Sequence, residues 1–238
     1  MLSKEKAEIL GLLCSDGNYR NYNTTYKEFD KRRNNTYTRH QNKRIIEFAN
    51  TNLELLEHFR KLLNKEYNYY PNIILSNKNV FRICITKNNV IDDLIGIANF
   101  GSSKWSITDE IILGNGVIKR AFIRGVFDGD GSVDFAVKKI PRIRISSINL
   151  RSLKQINKLL QSLSIDSEIL GPYKRNKRED CYELLLKTSS IMKFIKYINS
   201  KHSKKKDIFR GISRGRCRFN IGQNMNTAEV DNHLSSNA

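Results

Sequence analysis

Apolar residues recur along this chain in two rhythms, and the rhythms follow one another in the same order twice. The stretch Ala7 to Gly17 carries Ile9, Leu10, Leu12 and Leu13 at helical spacing. Residues 18–50 then turn polar and aromatic: Tyr19, Tyr22, Tyr26, Phe29 and Tyr37 are interleaved with basic side chains. This predicts β-strands joined by a basic turn around Lys31–Asn35. Ile45–Phe48 reads as a strand running into Thr51-Asn52, a helix cap. Leu53, Leu56, Phe59, Leu62 and Leu63 form a helical stripe, read as core. After Pro71 comes a strand pair, Asn72–Leu75 and Val80–Ile85, with its turn at Ser76–Asn79. Asn88 or Asn89 is the cap expected for a second helix through Val90, Ile91, Leu94 and Ile97.

The second half repeats the plan. Arg142–Asn149 parallels the strand and cap before the first stripe, and Leu150, Leu153, Ile156, Leu159 and Leu160 match that stripe one for one. Tyr182–Leu186, followed by Ile191, Met192, Ile195 and Ile198, mirrors Phe81–Ile85 and its helix. Spacing alone therefore reveals an internal duplication. It divides the chain into halves at 1–105 and 106–218. From about Gly222 the composition turns to Asn, Ser and Thr, so 219–238 reads as a disordered tail. The first half has the longer excursion between its opening helix and its stripe, which predicts two unequal sheets.

The opening helices of the halves share a second pattern. Ala7, Gly11 and Ser15 in one, and Ala121, Gly125 and Gly129 in the other, place a small residue at every fourth position. Such rows lie on one helix face and allow two backbones to approach closely. Gly17 and Gly131 stand where a left-handed residue would end each helix. Just before them are Asp16 and Asp130, in the last turn, where the helix dipole disfavours an acid by roughly 0.3–1 kcal/mol. If the helices pair in parallel, the two carboxylates meet and repel. Divalent cations between them would relieve that repulsion. Two carboxylates holding Mg²⁺ against a phosphodiester is a recurrent solution for cutting nucleic acid.

The two stretches Ile9–Gly17 and Ile123–Gly131 resemble two copies of the LAGLIDADG homing endonuclease motif. The likeness extends to about residue 215. It departs from the usual pattern at Cys14, where many members have an acid, and at Arg124, where a small residue is usual. The resemblance implies an α/β (α+β) architecture: a pseudo-twofold duplicated αββαββα fold, with two antiparallel DNA-binding sheets around paired motif helices. It implies a monomeric, site-specific endonuclease making a staggered, metal-dependent cut in double-stranded DNA across a narrowed minor groove. Asp16 and Asp130 would bind Mg²⁺ (or Mn²⁺), with the carbonyls of Ser15 and Gly129 as further ligands. A Lys after each half's last helix would approach the scissile phosphates. Lys104 falls there in the first half, where a solvated linker Lys is the alternative, and Lys206 is chosen among Lys204–Lys206 in the second. Asn50 and Ser147, at the ends of matching strands, are candidates for ordering water. A non-cleaving relative is the alternative: a transcription regulator, or a maturase with intron RNA as its partner.

Charge agrees with a polyanionic partner. The formal net charge is +18, and the basic residues cluster rather than scatter. In the first half Arg20, Tyr22, Lys27, Arg32, Arg33, Arg39 and Lys43 are assigned to DNA. In the second the assigned residues are Lys138, Lys139, Arg142 and Arg144, then Lys174, Arg175 and Lys177. A basic protein with an unrelated partner is the plainer reading. The 4 cysteines and 4 histidines show no paired or metal-ligand spacing, so a disulfide framework and a zinc site are not expected. No nucleophile motif or phosphate-cradling Gly loop is present. Without a signal peptide or long apolar span, the expected place is the cytoplasm or an organellar matrix, neither secreted nor membrane-bound. The start at Met1, with no splicing segment visible, disfavours an intein.

Overall fold

The computed structural model describes residues 2–76, 79–101, 105–136, 140–176 and 178–215. The first half runs α1 (Lys4–Asp16), β1 (Gly17–Asp30), β2 (Asn35–Asn50), α2 (Leu53–Tyr67), β3 (Ile73–Leu75), β4 (Phe81–Ile85) and α3 (Asn88–Ile97). A short helix the sequence does not signal, α4 (Asp109–Ile112), leads into the second half. That half runs α5 (Gly116–Asp130), β5 (Gly131–Phe135), β6 (Pro141–Ser147), α6 (Leu150–Ser162), β7 (Ser167–Arg175), β8 (Arg178–Leu186) and α7 (Ile191–Tyr197). A final helix, α8 (Ser203–Ser213), is formed by residues that the sequence reading leaves as a basic run beyond the last helix.

Each half builds one four-stranded antiparallel sheet, in the orders β1-β2-β4-β3 and β5-β6-β8-β7. The fold is α+β, and the duplication seen in the spacing is a duplication in space. The caps follow from chemistry: Asn52 accepts from Leu55 N at 2.9 Å, and its counterpart Asn149 accepts from Ser152 N at 3.1 Å. The expected caps of α3 are not used, because the helix begins at Asn88 itself and Lys87 precedes it without a side-chain bond. Leu53 is another departure. It lies in the first turn of α2 and is 46% exposed, while Leu55 takes the buried place.

The sheets are unequal, with the length placed differently in each. In the first half the β1–β2 hairpin is long, at 14 and 16 residues, and β3 has only 3. In the second half β5 and β6 have 5 and 7 residues, and the longer hairpin is β7–β8, at 9 each. Within β2, Ile46 and Phe48 are buried against the helices, so alternation turns Lys43, Gln41 and Arg39 to the opposite, open face. In β6 the same logic buries Ile143 and Ile145 and opens Arg142 and Arg144.

The two halves meet along α1 and α5, packed in parallel through their small residues. A Cβ on Gly11 would collide with the Phe122 carbonyl oxygen and lie 3.0 Å from Val126 N. One on Gly125 would sit 2.5 Å from the Glu8 carbonyl oxygen and 2.7 Å from Leu12 N. Backbone touches backbone here, and no other residue fits. Gly17 and Gly131 are needed for a related reason and not the expected one. Both are extended, with φ −89° and −78°, so neither is left-handed. A side chain at Gly17 would strike the Leu13 backbone, and one at Gly131 the Phe127 ring and carbonyl.

One flank of this seam is charged. Glu8 on α1 is 2% exposed and is bound by Arg124 of α5, whose Nε donates to Oε1 at 2.8 Å and whose NH2 bonds Oε2. His58 Nε2 of α2 lies 2.7 Å from the same carboxylate. These partners outweigh the cost of burial and pull the Glu8 carboxyl down to about 2. The unusual Arg in the second motif is thus half of an ion pair that ties the halves together.

Segments after α3 and α7 cross to the opposite half. Trp105 is buried, and its carbonyl accepts from Asn149 Nδ2 at 2.8 Å and Ser152 Oγ at 2.5 Å. In the mirrored contact, Asn52 Nδ2 donates to Ser203 Oγ at 2.6 Å, at the start of α8. Among the described residues, no helix is long and apolar enough to cross a membrane.

Candidate active site

α1 ends at Asp16 and β1 begins at Gly17; α5 ends at Asp130 and β5 begins at Gly131. Because the helices are parallel and in register, both acids arrive at one end of the seam, where the two sheets begin. A Cβ on Gly129 would collide with the Ser15 side chain and lie 2.9 Å from Asp16 Oδ2, so the small residue makes room for both side chains of the other half. Asn50, at the end of β2, donates from Nδ2 to Asp16 Oδ2 at 2.8 Å. Its own Oδ1 accepts from Asn52 N at 2.9 Å, which fixes the amide. Asp130 receives no such side-chain bond among the described residues.

The electrostatics follow from that difference. Burial raises the pKa of both acids. Asn50 and Lys205 pull Asp16 back toward the charged form. Asp130 is pushed up to about 7, by burial first and by the charge of Asp16 second, with only Lys205 opposing. The repulsion belongs to the pair, and it falls on the member without a hydrogen bond.

Lys205 reaches the same place from α8. Its Nζ donates to the carbonyls of Phe127 at 2.6 Å and Asp128 at 2.7 Å, and lies 3.5 Å from that of Gly129. Burial lowers it to about 8, against the pull of Asp128, Asp16 and Asp130. The choice of Lys206 is corrected here: Lys206 is exposed and turns toward Asn199, Phe209 and Arg210. Adjacent helical residues point about 100° apart, so only one of the three lysines can face the acids. The signal was present in the sequence. Lys205, Phe209 and Ile212 share one face at i, i+4 and i+7, and all three are buried.

The groups that converge here are oxygen donors, the carboxylates of Asp16 and Asp130, with the Gly129 carbonyl 3.5 Å from Lys205 Nζ. Among the described residues, no group of three or more His, Cys, Asp or Glu converges. Oxygen ligands completed by water suit Mg²⁺ or Mn²⁺ and do not suit zinc. Ser15 Oγ is turned back to the Leu12 and Gly11 carbonyls, at 2.9 and 3.3 Å.

A family model described as "LAGLIDADG-like domain" matches residues 118–199, from α5 to the turn after α7. Among solved structures, the homing endonuclease I-DmoI is similar at 20% identity and TM-score 0.57, over 82% of this chain and 95% of that one. The meganuclease I-SmaMI bound to uncleavable DNA is similar at 13% identity and TM-score 0.55, over 89% of this chain and 92% of that one. The LAGLIDADG homing endonuclease I-LtrWI bound to target DNA is similar at 12% and 0.53, over 89% and 91%. No curated protein matches the chain. This is a LAGLIDADG-fold protein.

On the LAGLIDADG frame the other sequence-derived candidates can be placed. Arg20, Tyr22, Arg39 and Lys43 share the open face of the long hairpin, and Arg32 and Arg33 occupy its turn. Lys27 does not join them: strand alternation puts it with Thr25 and Phe29 on the opposite face. Arg142 and Arg144 lie on the open face of the second sheet, beside a concavity also lined by Leu170, Tyr173, Glu183 and Leu185. Lys174 and Arg175 stand near the tip of β7–β8. Lys104, Lys138, Lys139 and Lys177 lie outside the described residues. Several of these arginines already have anions. Arg20 pairs with Glu47 at 2.8 Å, Arg39 with Glu28 at 3.1 Å, and Arg142 with Asp134 at 2.9 Å; Arg144 bonds both Asp134 and Glu183. Nothing local signals that pairing, since the acids sit on other strands.

Proposed function

We propose that this protein is a site-specific DNA endonuclease that acts as a monomer and hydrolyses one phosphodiester in each strand of a long, non-palindromic duplex target. Its halves, residues 1–105 and 106–218, would each cover one side of that target. The observation that carries this reading is the meeting of Asp16 and Asp130 at the one point where two open, arginine-bearing sheet faces begin. Duplex laid along those faces would bring its backbone over the acids. The similar proteins I-SmaMI and I-LtrWI are seen on DNA, and I-DmoI in complex with DNA and Mn.

Asp16 and Asp130, with the carbonyls of Ser15 and Gly129, are the groups that would hold Mg²⁺ or Mn²⁺. When bound, the metal would supply Lewis-acid polarisation of the phosphate and a more acidic attacking water. The chain's own side chains do the rest. Asn50 orients Asp16. Lys205, with a pKa near 8, stays mostly protonated at pH 7 and offers a fixed positive charge beside the acids, where negative charge develops. The paired arginines lie on the sheet faces that a duplex would cover, where an Arg side chain can read a guanine edge.

The test uses a library of random duplexes incubated with the protein and Mg²⁺, with broken ends recovered and sequenced. A defined asymmetric site cut in both strands is expected. Asp16→Asn and Asp130→Asn should each lower cleavage by orders of magnitude, because metal-borne charge stabilisation is worth several kcal/mol at about tenfold per 1.4 kcal/mol. Both variants should still bind, since each removes a negative charge that faces phosphate. Mg²⁺ should raise the melting temperature of the wild type more than that of Asp130→Asn. Cutting by both variants at the wild-type rate would refute this reading.

A further inference from the structure

The motif of α5 contains a second acid that the site does not use. Asp128 is 1% exposed and lies two residues before Asp130, so it faces away from the metal acids. Its Oδ1 accepts from Ser200 Oγ at 2.5 Å and its Oδ2 from Lys201 N at 2.9 Å. Ser200 Oγ accepts in turn from His202 N at 3.1 Å, and α8 begins at the next residue. Two residues further on, Lys205 reaches back to the Phe127 and Asp128 carbonyls. The side chain of Asp128 therefore holds the entry of α8, while Lys205 grips the end of α5. α8 has other anchors as well: Phe209 stacks on Phe127 at 5.7 Å, and Ile212 is buried.

The first half is built differently. Aligning Asp16 with Asp130 puts Cys14 opposite Asp128. Cys14 is buried and free, and a thiol is a poor acceptor that cannot clamp a turn as a carboxylate does. The halves thus share the metal acid and differ in this clamp. We propose that Asp128 is the positioning residue for Lys205, and that the strand cut served by Lys205 is faster than the other because, among the described residues, only the second half carries the clamp. This rests on the nuclease reading above for its consequence, but not for its geometry. A lysine has four rotatable bonds, and a displacement of about 1 Å in a positioning group can cost on the order of 10²-fold in rate.

Asp128→Asn and Ser200→Ala test it, on a supercoiled plasmid carrying the selected target with each strand labelled separately. The wild type should cut one strand first. In both variants that strand should slow by roughly 10- to 100-fold, while the other keeps its rate and DNA affinity is unchanged. Equal slowing of both strands would mean a general loss of structure and would overturn the proposal. A second readout needs no cleavage: modification of lysines by acetic anhydride, followed by mass spectrometry. Lys205 should be protected relative to Lys206 in the wild type and lose protection in both variants. Unchanged protection would overturn the clamp. Loss of protection in a protein whose wild type cuts no DNA would sustain the clamp and overturn the nuclease reading instead.

Discussion

Glu8→Gln keeps the shape of the side chain and removes its charge, so the Arg124 guanidinium stays on the seam without its bonded anion. Two routes give the size of the effect. Removing one partner of a buried ion pair costs about 3–5 kcal/mol. The depression of Glu8 from an ordinary 4.5 to about 2 corresponds to about 3 kcal/mol, at 1.36 kcal/mol per unit. The routes agree. The sign follows from the direction: a carboxyl depressed by folding contributes its stability in full above pH 4.5 and loses it as pH falls toward 2. Urea unfolding of wild type and variant should therefore differ by about 3 kcal/mol at pH 7, and the two curves should converge between pH 4.5 and 2. Replacing both partners by Leu should recover most of the loss, because an apolar pair buries no charge. A difference under about 1 kcal/mol at pH 7, or one that does not shrink in acid, would refute the account of this flank.

Gly11→Ala should destabilise by about 3 kcal/mol or more, because its Cβ meets a backbone carbonyl that cannot turn aside; Gly96→Ala, with nothing within 4 Å, should be neutral or mildly stabilising in the same urea assay. Replacing Arg32 and Arg33 together should make the slope of log K against log [salt] shallower by up to about 1.8, at 0.9 per phosphate contact, and an unchanged slope would place the turn away from the duplex.

Much of the fold was legible because the chain states it twice. The stripe beginning at Leu53 and its copy at Leu150, with Asn52 and Asn149 before them, identify the same helix by spacing and by cap. The seam was legible from Gly11 and Gly125, whose spacing has no use unless another backbone comes close. What escaped depends on contacts between residues far apart. Glu8, Arg124 and His58 come from three helices, and nothing local joins them. Asp134 and Glu183 occupy Arg144 across neighbouring strands, a pairing that exists only once the sheet has formed. The face that Lys27 takes is not legible locally, because a strand's phase is set by the residues that reach the core, and those lie far down the hairpin at Ile46 and Phe48. Gly17 and Gly131 were recognised as necessary for the wrong reason. Their constraint comes from the preceding turn, at Leu13 and Phe127, and not from backbone angle.

The charged flank of the seam also limits how such a chain can change. Under the internal repeat, Glu8 corresponds to Phe122 and Arg124 to Leu10, so the opposite flank has apolar residues at the matching positions. A recombination event that joined the first half to a copy of itself would bury Glu8 beside Leu10 twice. One that doubled the second half would bury Arg124 beside Phe122 twice. Each product leaves two buried charges without their ion-pair partner, at about 3–5 kcal/mol apiece, a cost comparable to the whole stability of a domain. On this flank each half carries the counterion of the other, so duplication of either half alone would not rebuild the seam.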